Sequence, residues 1–127
     1  MSAHSNEFPW PSYYGHFDYF EQRMAKHNRV QSLTRTSSPG TYVLKRTNGP
    51  DIRLFICECY LFGVAEYHEV VANLGRVDAV IIASLWCKYT GQVQDRCRDQ
   101  DVGVFTIAEF MGAINRREIW TYVGPEE

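Results

Sequence analysis

The sequence has no apolar run of membrane length. Its longest, Val77 to Trp86, is interrupted by Asp78 and Ser84 and falls far short of the roughly 20 residues a spanning helix needs. No membrane partner is expected. Nor is there a charge excess: 13 Lys and Arg face 15 Asp and Glu, a net charge of −2. That balance excludes an overt polyanion binder and still permits a local basic patch. There is no GxGxxG, no P-loop and no HExxH, so the nucleotide and protease chemistries those motifs carry have no support. Met1 to Ser12 is polar and proline-rich without the apolar core of a secretory leader, and the expected location is cytoplasmic.

Cysteine is sparse and awkwardly spaced. Cys57, Cys59, Cys87 and Cys97 form C-x-C and C-x9-C patterns, and neither matches a common zinc signature. Cys57 and Cys59 do not readily bridge one another across a single residue. In a reducing compartment all four are expected as small buried thiols. One alternative gathers them around zinc, with Cys57 and Cys59 on one strand face. Another makes Cys87 a nucleophile, with Lys88 adjacent and His68 on a neighbouring helix, which needs a lowered thiol pKa.

What is present is a 127-residue chain, 45% hydrophobic and 14% aromatic, long enough to bury roughly two thirds of its unfolded surface in one core. The expected organisation is an extended arm over 1–12 and one α/β domain over 13–124. Phe17, Phe20, Met24, His27 and Val30 recur every three or four residues and predict a helix from about Phe17 to Val30. Strand territory follows at Val30–Arg35, a Ser37-Ser38-Pro39-Gly40 turn, and a strand Thr41–Thr47. Asn48-Gly49 is the strongest hairpin signal in the chain, with Pro50 widening it. Ile52–Phe62 is almost continuously apolar and reads as a central strand.

Val64, Tyr67, His68, Val71 and Leu74 have helical spacing and end at Gly75. Val77–Leu85 reads as a buried strand. Thr90 caps a polar helix to about Gln100, and Val102–Phe105 is a short strand. Thr106 and Glu109 form a capping box that opens a last helix, and Ile119–Val123 is expected as an edge strand. The order is α-β-β-β-α-β-α-β-α: a three-layer α/β/α domain with a mixed sheet. Its first three strands are antiparallel through short turns, and its last two are parallel through helices.

This succession, and above all the stretch from Val77 through Ile114, resembles the restriction-endonuclease-like fold. That superfamily holds the PD-(D/E)xK nucleases, Holliday-junction resolvases and methyl-directed restriction enzyme catalytic domains. The resemblance implies nucleic-acid processing with Mg²⁺ held by an Asp near the second strand and a Glu on the third, and a Lys two residues on. At the implied Asp position, beside Gly40-Thr41, stands Tyr42. Glu58 offers the acid, and Tyr60 stands where the Lys belongs. Pro50-Asp51 is a decoy: Asp51 lies about 23 Å from Glu58 along an extended chain.

The resemblance therefore implies a degenerate member acting as a nucleic-acid-related binding or assembly module. One alternative is an active Mg²⁺-dependent nuclease with migrated residues: Glu58 and either Glu21 or Glu69 on the metal, Lys45 as cationic helper. Another is a flavodoxin-like or TIR-like signalling domain, whose all-parallel sheet would place Ser84, Lys88 and Thr90 at a ligand-binding loop. Arg29, Arg35, Lys45 and Arg46 form a candidate phosphate-facing edge. Arg116 and Arg117 complement the dipole at a helix end. Trp10, Trp86, Trp120, Tyr13, Tyr14 and Tyr122 are candidate contact residues. A homodimer is expected, pairing through the 119–123 edge.

Overall fold

A computed structural model describes residues 8–10, 14–38, 40–84 and 87–122. The chain runs α1 (Tyr14–Ala25), β1 (Val30–Arg35), β2 (Thr41–Arg46), β3 (Ile52–Cys57), β4 (Leu61–Phe62) and α2 (Val64–Leu74). It continues with β5 (Ala79–Ile82), β6 (Lys88–Tyr89), α3 (Gly91–Arg98), β7 (Gly103–Thr106) and α4 (Ile107–Ala113). A five-stranded sheet has the order β1-β2-β3-β5-β7, and β4 and β6 form a separate parallel pair. The strands β1, β2 and β3 are antiparallel, and β3, β5 and β7 are parallel. This mixed sheet departs from the all-parallel sheet that the flavodoxin-like or TIR-like alternative requires.

The period-two alternation of strand side chains splits the core in two. On one side Leu54, Ile56, Ala79, Ile81 and Phe105 pack against Phe20 and Met24 of α1 and Phe110 and Ala113 of α4. On the other, Phe55, Cys57, Val80, Ile82 and Val104 pack against Tyr67 and Val70 of α2 and Val93 and Cys97 of α3. Helices thus cover both faces in a three-layer α/β/α arrangement. Local signals start two of them. The Thr90 hydroxyl accepts the Val93 N–H at the head of α3. Thr106 and Glu109 exchange hydrogen bonds at the head of α4, as the capping box anticipates.

Three expected elements differ. The first helix begins at Tyr14 and stops at Ala25, five residues before Val30. His27 leaves the helical stripe; its Nε2 lies 2.9 Å from the carbonyl of Met111 and its Nδ1 accepts the Arg29 N–H. The expected strand Ile52–Phe62 ends at Cys57, because the Glu58 N–H turns away and donates to Trp10 O at 2.8 Å. Leu61 and Phe62 then pair outside the main sheet.

Ile119–Thr121 is a 3₁₀ turn rather than an edge strand, closed by Thr121 N to Glu118 O and Tyr122 N to Ile119 O; Val123 lies outside the described residues. Among the described residues the open polar edge of the main sheet is β1, not the 119–123 segment. Its register shift between Val30 and Ser32 is the kind of irregularity that blunts edge pairing.

The arm is also not what its tryptophan suggests. Trp10 is 1% exposed and packs edge-on against Phe8 and Phe62. Trp120 and Tyr122 are half-buried against the α1/α4 core. Tyr13, Trp86 and the Tyr14 side chain lie outside the described residues.

Candidate functional site

The turn from β1 to β2 builds a concave site above the α1 face of the sheet. Thr36 N donates to Thr41 O, Thr41 N and its hydroxyl donate to Ser38 O, and Ser38 N donates to Thr36 Oγ1. The hydroxyls of Thr36 and Thr41 bond each other. Gly40, at φ +74°, lets this turn press on β3: its carbonyl accepts the Ile56 N–H at 2.8 Å. A Cβ there would stand 2.6 Å from the Ile56 carbonyl oxygen. Gly40→Ala is therefore expected to lose roughly 1–3 kcal/mol, from positive φ and the backbone clash together. Urea unfolding reads this as a lower midpoint; an unchanged midpoint would refute the close approach.

Beside the turn lies a cavity of about 290 Å³. Pro9, Phe17, Tyr42 and Ile56 make its apolar walls, and Arg35, Ser37 and Ser38 supply its polar side. Arg35 is held in place. Its Nε donates to Glu21 Oε2 at 2.7 Å and its Nη2 lies 2.5 Å from the same oxygen. Its guanidinium carbon stands 5.6 Å from the Phe17 ring centroid and 5.9 Å from that of Tyr42, within cation–π range.

The Tyr42 hydroxyl also donates to Glu21 Oε2, at 2.7 Å. Burial works to raise the Glu21 pKa, but the bonds from Tyr42 and Arg35 outweigh it and the net shift is downward. Burial, reinforced by the Glu21 bond, pushes the Tyr42 phenol up. At neutral pH the trio is a carboxylate, a guanidinium and a neutral phenol.

Glu58 follows β3 and is 3% exposed. By alternation from Ile56 it turns to the same sheet face as Glu21 and Tyr42, and its Oε1 lies 2.9 Å from His16 Nδ1 of α1. The two acids that the resemblance singles out thus share a face but hold separate partners, His16 for Glu58 and the Arg35–Tyr42 pair for Glu21. This donor set does not fit the Mg²⁺ the resemblance implies. One Glu21 oxygen, Oε2, already takes Arg35 and Tyr42, and a phenol with a raised pKa replaces the Asp. Among the described residues no group of three or more His, Cys, Asp or Glu is arranged to hold a metal ion.

The remaining candidates do not converge here. Lys45 is exposed on β2 and, one residue from Leu44, faces the other side of the sheet. Glu69 is exposed on α2, in the opposite layer. Ser84 is buried after β5, Lys88 is exposed on β6, and Thr90 spends its hydroxyl capping α3. Tyr60, in the implied Lys position, is 66% exposed. Asp51 is an exposed turn residue.

Arg46 drops out of the expected basic edge, because it is buried beneath the end of α4. At Cys87 burial, then the nearby Glu58 charge, pushes the thiol up to about 11, the opposite direction from the lowered value a nucleophile needs. His16, absent from the sequence candidates, lies one and four residues before Phe17 and Phe20 of the apolar stripe. That spacing is the signal that places it on the inner side of α1.

With this geometry established, neither a family model, nor a curated protein, nor a solved structure matches the chain.

Proposed function

We propose that the chain is a degenerate restriction-endonuclease-like domain that binds nucleic acid at the Arg35 cavity. The observation that carries this reading is the placement of Arg35. The cation at the Glu21 carboxylate is a guanidinium held by that carboxylate, 60% exposed and lining the cavity. A guanidinium has five N–H donors. Glu21 engages Nε and Nη2, which leaves donors for a phosphate, the group planar guanidinium recognises best. The strand order and the positions of Glu21 and Glu58 on one sheet face support the family assignment. The loss of a carboxylate at Tyr42 and of a lysine at Tyr60 supports binding over hydrolysis.

Fluorescence anisotropy with single- and double-stranded DNA and RNA oligonucleotides tests the reading. Wild type is expected to bind at low salt and to weaken as salt rises. Arg35→Ala is expected to bind roughly tenfold or more weakly and to reduce the salt slope by about one. No binding in any format, or equal binding by the variant, would sink it. Cleavage with Mg²⁺ or Mn²⁺ that disappears in Glu58→Ala would replace it with the migrated-site nuclease.

A further inference from the structure

The cavity is small, lined by both polar and apolar side chains, and formed beside the chain's own turn. These features narrow what nucleic acid it takes. We infer that it receives a single terminal nucleotide carrying a phosphate monoester, bound by its end rather than along its backbone; this rests on the nucleic-acid reading above.

Size is the first argument. About 290 Å³ lies at the bottom of the range for small-molecule sites and suits one nucleotide better than a run of them. Donor arithmetic is the second. Of the five guanidinium N–H groups, Glu21 takes one from Nε and one from Nη2, so three remain. Among the described residues the side-chain hydroxyls of Ser37 and Ser38 make no hydrogen bond. Three N–H and two O–H donors on the lining residues Arg35, Ser37 and Ser38 suit the three non-bridging oxygens of a monoester. An internal phosphodiester offers only two.

Charge is the third argument. Glu21 offsets part of the Arg35 charge and no second cation lines the cavity among the described residues, so the site is not an electrostatic track for a long backbone. It is a hydrogen-bonding seat for one phosphate. The apolar lining is Pro9 and Ile56, together with Phe17, whose ring lies under the Arg35 guanidinium. It can cover the face of a base and has no side-chain polar group to read its edge, so recognition is indifferent to base identity.

Internally labelled single-stranded DNA of one sequence, prepared with a 5′-phosphate, with a 3′-phosphate or with neither, tests the inference on the full chain. One phosphorylated form is expected to bind about tenfold more tightly than the unphosphorylated form, as charge-assisted bonds of this kind allow. Which form gains identifies the strand end. The gain is expected to vanish in Arg35→Gln and, without touching the Glu21 pair, in Ser37→Ala/Ser38→Ala.

A nucleoside monophosphate is expected to compete better than inorganic phosphate, and to do so equally with any of the four bases. Equal affinity for all three oligonucleotides, with binding still lost in Arg35→Ala, overturns end recognition and leaves nucleic-acid binding standing. No binding by any oligonucleotide removes both. Competition by inorganic phosphate as effective as by the nucleotide overturns the role of the apolar wall.

Discussion

Arg46→Met is expected to destabilise the protein by roughly 3–5 kcal/mol, a large share of the 5–15 kcal/mol that holds an ordinary domain together. Arg46 is 6% exposed at the end of β2. Its Nε donates to Pro50 O at 3.0 Å, closing the β2–β3 turn on itself. Its Nη1 donates to Ile114 O at 3.2 Å and to Arg116 O at 2.5 Å, and its Nη2 donates to Arg117 O at 2.6 Å.

Those last three carbonyls follow α4, where the helix dipole is negative and backbone oxygens lack helical partners. Asn48 adds a second link, from Nδ2 to Ile114 O and Asn115 O. Burial pulls the Arg46 pKa down, and the Arg117 charge adds to it, yet the guanidinium stays protonated.

Methionine keeps the stem and removes every donor, so the buried bond to Ile114 O and the part-buried bonds to Pro50 O, Arg116 O and Arg117 O are lost together without a large cavity forming. Arg46→Lys is expected to recover little, because one ammonium cannot span acceptors that a planar fork reaches together. Thermal melts should show a drop of roughly 10–20 °C for Arg46→Met. A drop of only a degree or two would mean that water or a rearranged turn replaces the clamp.

The second large effect is chemical. In the native protein at pH 8 the four thiols are expected to react with a disulfide reagent far more slowly than free cysteine, and in denaturant all four are expected to react at once. Among the described residues Cys57, Cys59, Cys87 and Cys97 form no disulfide, and all four are buried. Burial is the leading cause of every shift and pushes Cys59 and Cys97 up to about 12 and Cys87 up to about 11, from an ordinary 9.0; Cys57 also moves up. The thiolate is the reactive form. Its fraction falls roughly a hundredfold for Cys87 and a thousandfold for Cys59 and Cys97, before any steric protection.

The sign for stability follows by linkage. A thiol raised in the folded state costs nothing below its unfolded value of 9.0. Above it the unfolded chain releases protons that the folded chain retains, so stability falls as pH climbs past 9. A native thiol that reacts as fast as free cysteine would refute the buried arrangement. Rapid reaction at Cys87 alone would restore it as a nucleophile.

The parts of the fold legible in the sequence are those written locally. β1 keeps the bounds Val30–Arg35, and the Thr106–Glu109 box sits three residues apart on one turn. The two cores follow from alternation along the strands. The site is harder to read, because its contacts are long in sequence. Arg35 and Glu21 are 14 residues apart and Tyr42 and Glu21 are 21 apart, so neither pair has a spacing rule.

Arg46 looks like one more surface cation until a helix end 68 to 71 residues away settles on it. The central strand misleads for a similar reason. Ile52–Phe62 stays apolar past Cys57, but the Glu58 amide finds its acceptor in the distant arm. Tyr42 at the implied Asp position and Tyr60 at the implied Lys position are, by contrast, plain in the sequence, and they are what turns the functional reading from cleavage to binding.

The arm carries a consequence for how this domain can be connected. Pro9 is a wall of the cavity, and Trp10 is at once a core ring and the acceptor that terminates β3 beside Glu58. The segment Phe8–Trp10, ahead of α1, is therefore joined to the interior and to the cavity wall together. A displacement of this segment would act on the cavity wall and on the end of β3 directly, with no relay through the sheet.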